Sequence, residues 1–219
     1  MKTVKRASEI VGSTDNRGNE IVGSPATSGR SVIEFLGKNC VVTFEDKSSL
    51  DGSIILLRDN ARVHIGKRSM FRGRMTLGLD CGVFFGDDVY TGLDLQITTA
   101  EGADVTLGSD ILISSGCRIR ADDSHPIYDG KTGKRINQSA SVRIGNHVWL
   151  GQEAFVLPGS SIGDGSVIGA RSLVTKTRPI PPNSLALGTP ASVQRENIRW
   201  IRKHLQTGTD IEEEIAPIF

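Results

Sequence analysis

Histidine is the side chain best suited to moving protons near neutral pH, because imidazole ordinarily titrates at roughly 6.5. The chain holds four, at positions 64, 125, 147 and 204, and their settings differ. His64 lies between Val63 and Ile65 and reads as an outward strand residue, His147 follows Asn146 at a turn, and His204 falls in the run RENIRWIRKHL. His125 stands in the irregular stretch DDSHPIY. There it could take a proton from a hydroxyl or amine, with Asp122 or Asp123 orienting the far ring nitrogen and favouring the imidazolium. The same residues can equally make an Asp-stabilised turn fixed by proline, and the local sequence leaves both open. Cys40, Cys81 and Cys117 form no CxxC pair, and each stands two residues before an apolar one (Val42, Val83, Ile119). That spacing makes them reduced core residues rather than nucleophiles or ligands.

A residue that moves protons needs a rigid support, and the sequence beyond His125 repeats every six residues. Ile144, Leu150, Val156, Ile162, Ile168 and Val174 are each six apart, preceded at i−2 by Val142, Val148, Ala154, Ser160, Ser166 and Ser172. Such a period demands a repeat architecture. Six is even, so residues i and i−2 keep the same face of a pleat through every repeat, whereas a helix would drift out of register. Each repeat reads as a short strand and a corner, with Gly supplying the corner's backbone freedom. Three repeats close a triangular coil, and the coils stack as a parallel β-helix.

A looser form of the pattern starts at Val32, with inward pairs such as Cys40/Val42, Ile54/Leu56, Val63/Ile65, Val83/Phe85 and Leu95/Ile97. The segment TTAEGAD between Ile97 and Val105 reads as a small outward loop. Ile119 and Ile144 are 25 apart, one more than four repeats. A segment at about 121–142 must therefore leave the coil, carrying His125 with it, and long excursions from rigid scaffolds are common seats of function. The expected organisation is an irregular N-terminal cap over 1–33, the β-helix over 34–194, and a C-terminal helix and tail over 195–219. In the last, Ile198, Ile201 and Leu205 recur at helical spacing beside Trp200.

Composition bounds the function. A net charge of +1 excludes electrostatic capture of nucleic acid or membrane as the main activity. Between Ile168 and Leu205, however, seven Lys or Arg face a single Glu196, which suits an anionic ligand. No apolar run is long enough for a membrane span, and the opening MKTVKRASEI lacks the apolar stretch of a signal peptide, so a cytoplasmic location and no membrane insertion are expected.

Hexapeptide coils, an insertion bearing His-Pro, NHVWLG directly after it, GSVIGARSLVTK and GTPASV together resemble the hexapeptide acyltransferases over roughly residues 32–202. The likeness is to the galactoside and maltose O-acetyltransferases. It is closer still to the O-acetyltransferases of bacterial capsule and lipopolysaccharide, where DxSHPI-Y-D and a later R-I-N are typical. The resemblance implies a left-handed β-helix, acetyl-CoA as co-substrate, no metal, and a homotrimer with active sites between subunits. It makes His125 the general base. Trp149 falls beside the pantetheine arm and the acceptor, and Gly151, Ala170, Thr175, Lys176 and Arg195 along coenzyme A. Asp94, Gln96, Asp123 and Asn137 fall toward the acceptor. Departures are Asp94, where the family has Asn, Arg171, where Gly is usual, and Ser192, where a second basic residue often stands. Phosphate contacts could pass to Arg171 or Arg178.

The implied reaction is transfer of acetyl to a sugar hydroxyl of a surface polysaccharide, by direct attack in a ternary complex. Alternatives on the same scaffold are N-acetylation of a nucleotide-linked amino sugar and acetylation of an antibiotic. A zinc hydratase would need three histidines at neighbouring-coil spacing, which His64, His125 and His147 do not have. A purely structural solenoid would give no reason for DDSHPIY followed by NHVW.

Overall fold

The computed structural model describes residues 3–203. Its strands form three eight-stranded sheets, each visited once per turn, so that the chain climbs a triangular β-solenoid of about eight turns. We call the three sheets faces A, B and C, and number the coils from the first parallel face-A strand, Val32–Phe35. Face A continues through Ile54–Leu57, Gly73–Leu77, Leu95–Thr99, Arg118–Arg120, Phe155–Val156 and Leu173–Val174. The corresponding face-B strands run from Val41–Phe44 to Ser161–Ile162, and the face-C strands from Ser49–Leu50 to Leu185–Gly188. Successive coils pair in parallel with matched register, for example Met75↔Ile97 and Ile97↔Ile119.

The six-residue pattern translates directly into burial. All twelve i−2 and i residues from Val142 to Val174 are buried. The serine hydroxyls are satisfied by the neighbouring coil: Ser160 donates to the Val174 carbonyl at 3.1 Å and Ser166 to that of Pro181 at 2.8 Å. Cys40, Cys81 and Cys117 are free and buried. Burial pushes the Cys117 thiol up to about 11, which removes it as a nucleophile near neutral pH.

Several expectations change. The inward residues of the strand IILL are Ile55 and Leu57, not Ile54 and Leu56; four consecutive apolar residues do not reveal parity. TTAEGAD is no outward loop: the face-A strand runs on through the buried Thr99, and a tight turn at Glu101 (φ 57°) closes the corner. The repeat glycines are needed for close approach rather than for freedom. A Cβ on Gly151 would lie 2.6 Å from the Ala170 amide nitrogen in the next coil. Left-handed backbone falls two residues later, at His147, Glu153 and Arg171.

The C-terminal capping helix is not seen. Ala191–Arg195 instead pairs antiparallel with Leu185–Gly188, and no α-helix occurs among the described residues. Beyond it, Trp200 lies 9% exposed and stacks on His147 at 4.2 Å between ring centroids. The apolar spacing that suggested a helix supplies one anchor for an extended strap. His204, Leu205 and the acidic tail lie outside the described residues. At the other end, Thr3–Arg6 runs antiparallel to Val32–Phe35, and Ser13–Thr14 pairs with Glu20–Val22. No helix among the described residues is long and apolar enough to cross a membrane.

Candidate active site

The face-A strand of coil 5, Arg118–Arg120, is followed by Ala121 and then by the excursion, which rejoins the coil at Val142. Its stem is hairpin-like. Ile136 N–H donates to the Ile127 carbonyl at 2.9 Å, Asp129 N–H to that of Lys134 at 2.8 Å, and Asp129 caps the tip through Thr132. Arg135 and Ser139 both bind Glu101 at the same A/B corner one coil earlier, tying the stem to the wall.

His125 rides on the first arm, fully outside the coil, and its ring has no hydrogen bond among the described residues. Its backbone is held from two directions. Asn137, from the returning arm, donates Nδ2 to the His125 carbonyl at 2.9 Å and to Asp123 Oδ2 at 3.1 Å, and accepts Ile127 N–H at 2.6 Å. Asp122, 6% exposed, accepts Ser124 N–H on Oδ1 at 2.8 Å and so fixes a turn in which Ser124 adopts φ 63°. Arg120 spans the turn, reaching Ser124 Oγ at 2.6 Å and Asp122 Oδ1 at 3.5 Å. Neither Asp122 nor Asp123 touches the imidazole. Both are committed to the main-chain frame that presents it, so the expected Asp–His pair is absent within the described chain.

The remaining candidates divide by face. Asp94 and Gln96 meet at 3.4 Å where the C/A corner opens onto face A. Gly151 and Ala170 lie on that same corner in coils 5 and 6. Thr175 follows the face-A strand of coil 7 and contacts Thr177, and Lys176 lies at the A/B corner beneath Ala140 and Gly159. Face A and its edges thus gather most of the proposed residues. Trp149 and Arg195 do not join them. Trp149 points out from face C, 38% exposed, with Nε1 on Ser114 Oγ at 3.2 Å, and Arg195 ends the last strand of that face. His125 leaves the prism at the A/B corner, opposite face C, so one chain does not bring His125 and Trp149 together.

His147 is a structural residue. It bonds Asp110 through Nδ1 and the Trp200 carbonyl through Nε2, and Trp200 returns a bond to the His147 carbonyl, which fastens the C-terminal strap to the B/C corner. Arg171 pairs with Glu153 at 2.8 Å. The sequence reading missed Arg74 and Arg118, which flank Gln96 on face A. Their signal was a spacing of 22 residues on either side of Gln96, visible only once the coil length is known.

A model described as bacterial transferase hexapeptide (six repeats) matches residues 141–176. The polysialic acid O-acetyltransferase of Escherichia coli O1:K1 / APEC is 32% identical over 140 residues, which cover 64% of this chain and 45% of that protein. The polysialic acid O-acetyltransferase of Neisseria meningitidis is 31% identical over 175 residues, covering 80% of this chain and 78% of its own length. A crystal structure of a polysialic acid O-acetyltransferase superposes with a TM-score of 0.76 at 29% identity, over 87% of this chain and 91% of that one. The galactoside O-acetyltransferase of Escherichia coli (strain K12) is 35% identical over 116 residues, and the chain spans about half the length of both Escherichia coli relatives, at 45% and 56%.

Proposed function

Because the chain belongs to the hexapeptide-repeat acetyltransferase family, we propose that it transfers acetyl from acetyl-CoA to a sugar hydroxyl of a bacterial surface polysaccharide, with His125 as general base. The observation that carries this reading is the His125 loop. It has an exposed ring with no hydrogen bond among the described residues, on a main chain pinned by Asn137, Asp122 and the Glu101 tether. That is what a base waiting for its proton donor requires: the ring is available and its position is fixed.

Face A gives the two substrates a common track. From Thr175 and Lys176 at coil 7, the outward column passes Leu173 and Phe155, which suit the apolar part of a pantetheine arm, and the coenzyme stops there, short of Arg118 and Gln96 in coils 5 and 4. Coenzyme A laid along it would present its thioester near the root of the His125 loop, with Gly151 and Ala170 on one edge. In the reaction His125 removes the hydroxyl proton, the oxygen attacks the thioester carbonyl, and the tetrahedral oxyanion is met by a backbone N–H of the coil. Coenzyme A then leaves as the thiol, taking the proton from His125. With three buried cysteines, no acyl-enzyme on sulfur is needed.

The second half of the site comes from another copy in a homotrimer. Trp149 and Arg195 lie on the face opposite the loop, and both regions carry uncovered apolar surface. On the loop this is Ile127, Tyr128 and Ile136, each more than half exposed. On face C it is the ladder Met70, Tyr90, Leu112 and Trp149, paired in register. Docking one on the other would place His125 of one chain before Trp149 of the next.

The test is thiol release from acetyl-CoA against a panel of capsular oligosaccharides, sialic acids, lipopolysaccharide sugars and nucleotide amino sugars. His125→Ala is expected to lower kcat by about 10²- to 10⁴-fold, and His64→Ala, on an outward strand position, to leave it unchanged. Equal rates for wild type and His125→Ala would remove the assignment.

A further inference from the structure

The outward column at the start of each face-A strand reads Val32, Ile54, Arg74, Gln96, Arg118, Phe155 and Leu173. Its ends are apolar. Its charge is confined to coils 3 to 5, the coil that extrudes the His125 loop and the two before it. Arg74 and Arg118 are both exposed, and neither guanidinium has a hydrogen bond or ion pair among the described residues. They stand two strands apart, about 10 Å between backbones, with Gln96 between them. Among the described residues, the carboxylate that touches this part of the column is Asp94, and it engages Gln96 rather than either arginine. Arg120, which also lies on this face, is already spent on Ser124 and Asp122.

Arginines in neighbouring register on a sheet normally find carboxylates on adjacent strands, because like charges across strands destabilise it. Here two unpaired guanidiniums bracket an amide on the face from which the His125 loop departs. A guanidinium presents a planar fork that matches a carboxylate bidentately, while a neutral sugar offers it only hydroxyls.

We infer that Arg74 and Arg118 form an acceptor subsite for a carboxylate-bearing glycan, which they hold across face A so that a hydroxyl of the sugar at Gln96 reaches His125. This rests on the acetyl-transfer reading above and adds the acceptor's charge to it. The two arginines grip the sugar acid and take no part in proton transfer, so their loss weakens acceptor binding and leaves the chemical step intact.

The experiment compares wild type with Arg74→Gln/Arg118→Gln on two forms of one acceptor, an oligosialic acid and the same oligosaccharide with its carboxylates methyl-esterified. Binding of each glycan is also measured by calorimetry without acetyl-CoA. The expected result is a rise of about 10- to 100-fold in the acceptor KM of the double variant toward the acid form, with kcat and the acetyl-CoA KM within twofold and thermal unfolding unchanged. Esterification should cost wild type the same factor and cost the variant nothing more, which is the signature of a direct pairing. Wild-type KM toward the acid form should also rise with salt, and that of the variant should not. An unchanged KM in the double variant, or equal use of acid and ester by wild type, overturns the subsite while the transferase reading stands. Wild type that releases no thiol with any sugar removes the underlying reading and the subsite with it.

Discussion

Asp122 shows how much of the site depends on one buried carboxylate. Its Oδ1 holds the Ser124 turn, while its Oδ2 is buried with no partner. An unsatisfied buried oxygen costs stability, so the residue is poorly explained by folding and well explained by the turn it makes before His125. Asp122→Ala is therefore expected to lower kcat about 10- to 100-fold by loosening the base, with KM for acetyl-CoA unchanged. The melting temperature should move little, because the lost hydrogen bond and the relieved oxygen offset each other. Asp122→Asn keeps an acceptor for the Ser124 amide and should restore most of the rate. Steady-state kinetics with thermal unfolding on both variants checks this, and a fall in kcat matched by a fall in stability would assign Asp122 to the fold alone.

The loop behaves as an element because it is tied to the coil at a distance from its own root. Glu101, on the preceding coil, receives Arg135 and Ser139, and these bonds, that from Arg135 first, hold its carboxyl down at about 2. A carboxylate with a lowered folded value stabilises the tie above its ordinary range and loses that contribution as pH falls through the folded value. Amide protection in 135–141 is therefore expected to be the same at pH 7 and pH 5 and to fade only toward pH 2. Glu101→Gln should loosen the segment at every pH. Hydrogen exchange followed by mass spectrometry reads both. Protection that collapses already between pH 5 and pH 4 would mean another group holds the loop. The strap is the opposite kind of element, since Trp200 is fastened through His147 and Asp110 far from the His125 loop. Trp200→Ala should free residues 196–203 for exchange.

On the scale of the molecule, the proposed function bears on assembly, because the candidates divide between face A and face C. If His125 and Trp149 serve one site, the prism completes that site by meeting another copy. Sedimentation is expected to give a trimer. Mixing His125→Ala with Trp149→Ala, each impaired alone, should raise activity above that of either in mixed trimers, since some clefts then receive both side chains intact. Failure of such mixtures to recover any rate, despite proven subunit exchange, would place both residues in one chain's site.

The solenoid is legible in the residues alone, because an even repeat writes inward and outward positions directly into residue type. Val142 to Val174 could be assigned to the core one by one, as could the three cysteines and the interval from which the His125 loop departs. The pattern was ambiguous where parity was hidden, as in IILL. It misled where helical spacing arose by coincidence, as around Trp200, because an extended strap held by His147 and Asp110 uses its apolar residues as single anchors and needs no period. Only the tertiary structure decided which residues share a face. Coil lengths vary between 18 and 22 residues where no loop intervenes (Val156 to Val174, Ile97 to Ile119). Arg74, Gln96 and Arg118 therefore become neighbours through strand register, which no local pattern encodes. The same holds for Asp122, whose role beneath the Ser124 turn depends on burial, and for Trp149, whose separation from His125 follows from the closed triangle of the coil.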